Sequence, residues 1–163
     1  MAVRRATGPA SPLVLPALLL VLAAPAEAGT ATATLTVTAN VRSGCSIENG
    51  SLDFGDYTAG QSADLLGSGT IRIRNCQGTV TIELDGGRSG NVRNRQLASG
   101  ADRLNYQLFK DTARQQVWGT GADAFTMQIL QSDASIQVFG RIPGGQRVPA
   151  GTYSDSVTIT MTF

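Results

Sequence analysis

Chemistry in this chain of 163 residues would have to come from carboxylates, tyrosines, basic side chains and two cysteines, because histidine is absent. A serine or cysteine nucleophile therefore lacks the positioned imidazole base that such sites ordinarily use. Six acids stand out: Asp53, Asp56, Glu83, Asp85, Asp111 and Asp155. A pair of carboxylates can hydrolyse a glycoside, but most of these fall at turn-like positions or on polar strand faces and read as solvated acids. Gly86-Gly87 and Gly119-Thr120-Gly121 stand between no strand and helix, so neither reads as a phosphate loop. The Asp53/Asp56 turn lacks the dense acidic spacing of a calcium loop. Arg93 and Arg95 form a small cluster in a polar stretch and read as solvated. Tyr57 and Tyr153 read as core or corner packing, with glycan stacking as the alternative. No catalytic site, metal or cofactor is expected, and the chain reads as something other than an enzyme.

The two cysteines, Cys45 and Cys76, acquire meaning from the first 28 residues. Arg4 and Arg5 precede a short apolar run over residues 13–24, and Ala26-Glu27-Ala28 is a small-x-small cleavage signal. Pro16 interrupts that run and Pro25 follows its end, and the run is short for a membrane span. Residues 1–28 are therefore expected to be a signal peptide for the general secretory route rather than a retained anchor. In an oxidising compartment an even cysteine count reads as one disulfide. It would stabilise the fold by roughly 3.5–4 kcal/mol in the chain-entropy model. Removing Met1 to Ala28 leaves 135 residues with 11 basic and 11 acidic side chains. That balance offers no basic field for nucleic acid or anionic lipid.

The elements that would position these groups read as strands. Residues 30–41 alternate without a break: Ala31, Ala33, Leu35, Val37, Ala39 and Val41 are apolar, and every residue between them is Thr or Asn. After the connector Arg42-Ser43-Gly44, Cys45 begins the domain proper, and Leu52-Asp53-Phe54-Gly55 is a short apolar segment ending in a turn. Residues 58–69 read as a loop with a hydrophobic foot. Ile71 and Ile73, then Val80, Ile82 and Leu84, mark two strands joined at Gln77-Gly78, a turn, bulge or bend. Residues 86–102 read as a long loop or irregular edge. Leu104, Tyr106 and Leu108 form the next strand, followed by Val117-Trp118-Gly119, a strand candidate over residues 125–130, and Ile136, Val138 and Ile142. Tyr153, Val157, Ile159, Met161 and Phe163 alternate at the end of the sequence. Eight or so short strands with glycine-rich turns and no respectable amphipathic helix predict an all-β sandwich. Its expected core is Phe54, Ile71, Ile73, Val80, Ile82, Leu84, Leu104, Tyr106, Leu108, Trp118 and Val138.

Several of these segments together resemble the spore coat protein U domain. The residues are Cys45, Leu52-Asp53-Phe54-Gly55-Asp56-Tyr57, Cys76, Leu104-Asn105-Tyr106-Gln107-Leu108-Phe109-Lys110-Asp111, Val117-Trp118-Gly119, Val138-Phe139-Gly140-Arg141-Ile142 and Gly151-Thr152-Tyr153-Ser154-Asp155-Ser156-Val157. The resemblance implies an incomplete immunoglobulin-like sandwich of the archaic chaperone–usher pilus subunits. Such a domain lacks its last strand; a periplasmic chaperone fills the groove first, and a donor strand from the next subunit replaces it. Residues 29–44 would then be donor strand and linker, and residues 45–163 the domain. Val157, Ile159, Met161 and Phe163 would line the acceptor groove or meet the chaperone.

Two features of the residues suit that mechanism: the amphipathic stretch before Cys45, and a final strand pattern running to Phe163, which would leave an edge in want of a partner. Burying Leu35, Val37 and Val41, with smaller contributions from Ala33 and Ala39, would supply roughly 5–10 kcal/mol. The expected function is a structural subunit of a secreted surface pilus, serving adhesion or biofilm. Its partners would be identical or homologous pilin subunits, the chaperone and an outer-membrane usher, with no nucleic acid. The alternatives are a self-complemented secreted coat or matrix protein, against which the short Arg42-Ser43-Gly44 connector counts, and a carbohydrate-binding module.

Overall fold

Alternation of apolar and polar residues produces eight strands among the described residues. The computed structural model describes Thr30, residues 32–40 and residues 44–163. In chain order the strands are β1 (Ser46–Ile47), β2 (Leu65–Arg74), β3 (Gly78–Leu84), β4 (Arg95–Ser99), β5 (Asp102–Phe109), β6 (Phe125–Ile129), β7 (Ala134–Ile142) and β8 (Ile159–Thr162). They form a five-stranded sheet, ordered β1-β2-β7-β5-β4, and a three-stranded sheet, ordered β6-β3-β8. All the strand pairings are antiparallel.

The core lies between the sheets because each strand points one set of alternate residues inward. Ile71, Ile73, Leu104, Tyr106, Leu108, Ile136, Val138 and Ile142 come from the first sheet, and Val80, Ile82, Leu84 and Ile129 from the second. Trp118 is fully buried among them, and its Nε1–H donates to the Ile82 carbonyl at 2.9 Å. Phe54 is half-buried and packs edge-on to Tyr106. Cys45 and Cys76 are disulfide-bonded, with Cα atoms 4.4 Å apart, tying the start of the domain to the chain just after β2.

Three segments differ from the expectation, each for a physical reason, and at Gln77-Gly78 the structure narrows the alternatives of turn, bulge or bend. Leu65 to Gly69, read as loop, is the first half of β2 and pairs with β7. Its glycines hide the alternation: a Cβ on Gly69 would lie 2.4 Å from the Ser51 carbonyl oxygen, so the preceding segment crosses where side chains would stand. Residues 86–102 contain β4, concealed because Arg95 occupies an inward position where the pattern calls for an apolar residue. Gln77-Gly78 is no hairpin turn, since β2 and β3 lie in different sheets; Asn75, at φ 54°, helps redirect the chain between them. The final alternation forms a ladder only over Ile159–Thr162, with Ser154 making an isolated bridge to Ala98.

The alternating stretch over residues 31–41 carries no ladder in its described part, residues 32–40, and Leu35 and Val37 are 86% and 83% exposed. A strand ladder exists only through hydrogen bonds to a neighbouring strand, and among the described residues none pairs with it. The expected signal peptide, Gly29, Ala31, Val41, Arg42 and Ser43 lie outside the described residues.

Candidate functional site

β8 pairs with β3 along one edge only; among the described residues no strand pairs with its other edge. Beside it a groove of about 320 Å³ opens to the sandwich interior. Residues 50–52 form one wall, and Val157 and Ile159 the other. Its floor consists of core side chains, Ile71, Leu84, Leu108 and Val138, flanked by Leu97 and Tyr106. The first wall is held against β2 by the bridge between Leu52 and Gly69 and by the Glu48 N–H, which donates to the Arg72 carbonyl at 2.9 Å. An apolar-floored groove along an unpaired strand edge is what an additional strand would cover, burying its alternate side chains on the floor while its backbone bonds to β8.

The β8-side wall is set by polar groups. Asp155 accepts from the Tyr106 hydroxyl at 2.7 Å and from the backbone N–H groups of Arg88 and Ser156 at 2.8 and 2.9 Å. Asp85 accepts from the N–H groups of Gly87 and Thr158 at 2.8 and 2.9 Å. Burial pushes the Asp85 carboxyl up, but the hydrogen bonds from Thr158 and Gly87 and the nearby Arg95 charge outweigh it and leave it below the ordinary carboxylate value. Burial and the Asp155 carboxylate raise the Tyr106 phenol, which stays protonated and donates. Arg95, read as a solvated loop residue, is instead 0% exposed. Its guanidinium donates to the carbonyls of Leu84, Asp85 and Trp118 at 2.7–2.9 Å and to Gln107 Oε1 at 2.7 Å. Desolvation lowers its pKa, with Tyr106, Asp85 and Asp155 opposing that shift. Asp85 and Asp155 are thus structural acceptors rather than the free solvated acids expected from the sequence.

The structure separates the expected groove residues. Val157 and Ile159 line the cavity, Met161 is half-buried opposite Ile82, and Phe163 is 60% exposed. Neither the facing wall at residues 50–52 nor the floor carries a signal in the sequence, since floor residues are of the same types as the rest of the core. Tyr57 and Tyr153 border a second cavity with residues 52–56 and 148–152. Their hydroxyls are occupied with backbone: Tyr57 donates to the Pro143 carbonyl at 3.2 Å and accepts from the Gln146 N–H at 2.9 Å, and Tyr153 donates to the Pro149 carbonyl at 2.9 Å.

Residues 31–160 match the family model of the Spore Coat Protein U domain. The chain belongs to that family. A curated relative is Protein U of Myxococcus xanthus, 37% identical over 88% of this chain and 91% of the relative. Among solved structures, a chaperone–tip adhesion subunit pre-assembly complex from the archaic chaperone–usher Csu pili of Acinetobacter baumannii matches 73% of this chain at 25% identity and a TM-score of 0.52. The chain spans 39% of the length of the matched chain in that complex. The P pilus rod subunit PapA shares the fold at 18% identity and a TM-score of 0.53, over 72% of this chain and 97% of its own. This Spore Coat Protein U domain is therefore an all-β sandwich of the immunoglobulin-like kind found in pilus subunits.

Proposed function

We propose that this chain is a structural subunit of a secreted surface pilus that polymerises by donor-strand exchange. Residues 31–41 of one subunit fill the groove of the next, with Ala31, Ala33, Leu35, Val37, Ala39 and Val41 facing its floor. The observation that carries this reading is the groove itself: an apolar-floored cleft beside an edge of β8 that no strand pairs with among the described residues. The exposed apolar side chains of Leu35 and Val37 supply a matching insert. Burying the insert yields roughly 5–10 kcal/mol, and each ladder hydrogen bond adds about 0.5–1.5 kcal/mol net. On this reading a periplasmic chaperone occupies the groove before assembly, Met161 and Phe163 serve as its contacts, and an outer-membrane usher receives the subunit. Adhesion or biofilm is the service such a fibre performs.

The test is expression of the exported chain in its native host, followed by unboiled SDS gels. Ladders of subunits are expected, and deletion of residues 29–41 abolishes them; ladders that survive the deletion refute the exchange. The family's description as a spore-coat domain favours a second reading, in which the same exchange builds a surface coat. Electron microscopy separates the two, since a pilus subunit gives discrete filaments and a coat subunit a continuous layer.

A further inference from the structure

We infer that Asp85 and Asp155 are positioning residues that hold open the β8-side wall of the groove. The inference rests on the groove reading above. Residues 155–158 belong to no ladder, yet they carry Val157, which forms that wall. They lie between the isolated bridge at Ser154 and the start of β8 at Ile159, so strand pairing fixes their ends and not their middle. Two carboxylates fix the middle. Asp155 is clasped by the Tyr106 hydroxyl from the first sheet and by the Arg88 N–H from the turn Gly87–Ser89. Asp85 binds the Thr158 N–H through its side chain, and its own N–H donates to the Thr158 carbonyl at 3.1 Å. Arg95 in turn binds the Asp85 carbonyl through Nε and Nη2, at 2.9 and 2.7 Å, so the anchoring residue is itself held from inside the core.

The fit leaves little slack. A Cβ at Gly87 would lie 2.1 Å from Asp155 Oδ2, and Gly87 has φ 58°, so the turn rests directly on the carboxylate. These tethers oppose a specific collapse. Val157 is only half-buried at the rim of an apolar-floored groove, and moving it inward would bury more of its apolar surface and close the groove. Hydrogen bonds from fixed backbone donors hold the wall at its distance without filling the space that an incoming strand must enter. Among the described residues Asp155 is the one charged residue of the groove lining, and its oxygens are turned to protein donors.

The test measures uptake of a dye-labelled peptide with the sequence of residues 30–41 by the exported, disulfide-bonded chain. The chains compared are the native protein and its Asp155→Ala, Asp155→Asn, Asp85→Ala and Tyr106→Phe variants. Asp155→Ala and Asp85→Ala are expected to slow uptake at least tenfold with the near-ultraviolet dichroism of Trp118 unchanged. Asp155→Asn, which keeps an acceptor oxygen, recovers most of the rate. Tyr106→Phe keeps the ring and loses one bond, so it covers the case in which the alanine variants fail to fold. It should slow uptake several-fold and speed amide exchange at Ser156 and Thr158. Native-rate uptake by folded alanine variants, or unchanged uptake and exchange in Tyr106→Phe, overturns the inference while leaving the groove reading intact. Failure of the native chain to take up peptide overturns both.

Discussion

Replacing Arg95 tests whether its buried guanidinium holds the two sheets in register. Arg95→Met keeps much of the side-chain volume and removes every donor. In the native protein Nη2 binds the carbonyls of Leu84 and Trp118 at 2.9 and 2.8 Å, both within the buried interior. A buried acceptor stripped of its partner costs about 1–3 kcal/mol, so two cost about 2–6 kcal/mol. The Asp85 carbonyl and Gln107 Oε1 border solvent and recover part of their loss from water. Relief of the guanidinium's desolvation acts in the opposite direction, since a buried charge can be replaced by an apolar residue at little net loss when its partners leave with it. Here they do not leave, because Leu84, Asp85 and Trp118 offer main-chain carbonyls and Gln107 is left unchanged. A net loss of about 2–4 kcal/mol is expected, a large share of the 5–15 kcal/mol typical of a domain. Urea unfolding with the disulfide intact reads this as a lower midpoint at unchanged slope. Arg95→Lys should recover little, because an ammonium cannot span three carbonyls in one plane. A loss below about 0.5 kcal/mol for Arg95→Met, judged against the 2–6 kcal/mol expected for its acceptors, would refute the reasoning.

Three other outcomes follow from the same geometry. Cys76→Ser opens a loop closed across a separation of 31 residues and should lower stability by roughly 3.5–4 kcal/mol, read as a lower midpoint and a lower periplasmic yield. Asp85 has a folded pKa below its ordinary value, so the stability it contributes is present above the unfolded pKa of about 3.9 and is lost as pH falls through the lower folded value. Asp85→Asn should therefore flatten the loss of thermal stability below about pH 4, and an unchanged acid profile contradicts the assignment. Gly69→Ala places a methyl group against the Ser51 carbonyl oxygen; it should destabilise by about 1–3 kcal/mol, displace residues 50–52 and slow peptide uptake.

What the sequence made legible follows from its periodicity. In β3, β5, β7 and the second half of β2, each inward residue is apolar and each outward one mostly polar, so strand, face and core could be read together. β4 could not be read that way, because its first inward residue is an arginine whose partners come from Leu84, Asp85, Gln107 and Trp118. The first half of β2 was hidden by glycines whose reason lies in another segment, residues 51–54, crossing above them. The same limit applies to the groove. Val157 and Ile159 show their face through alternation, but Ser51 and Leu52 reach the opposite wall only through contacts distant in sequence. Asp155 looked like a polar interruption of an alternating strand, and the donor that gives it a role, the Tyr106 hydroxyl, lies 49 residues away.

The central claim is that residues 31–41 of one chain occupy the groove of another. Site-directed cross-linking tests it directly. Chains carrying Leu35→Cys, Val37→Cys or Ala39→Cys are co-expressed in the native host with chains carrying Ile159→Cys, and assembled material is examined without reductant. A disulfide joining two different chains is expected for at least one of the three positions, lost when Ile159 is restored. No cross-link between chains at any position, while a control chain carrying both substitutions forms the bond within itself, would contradict it.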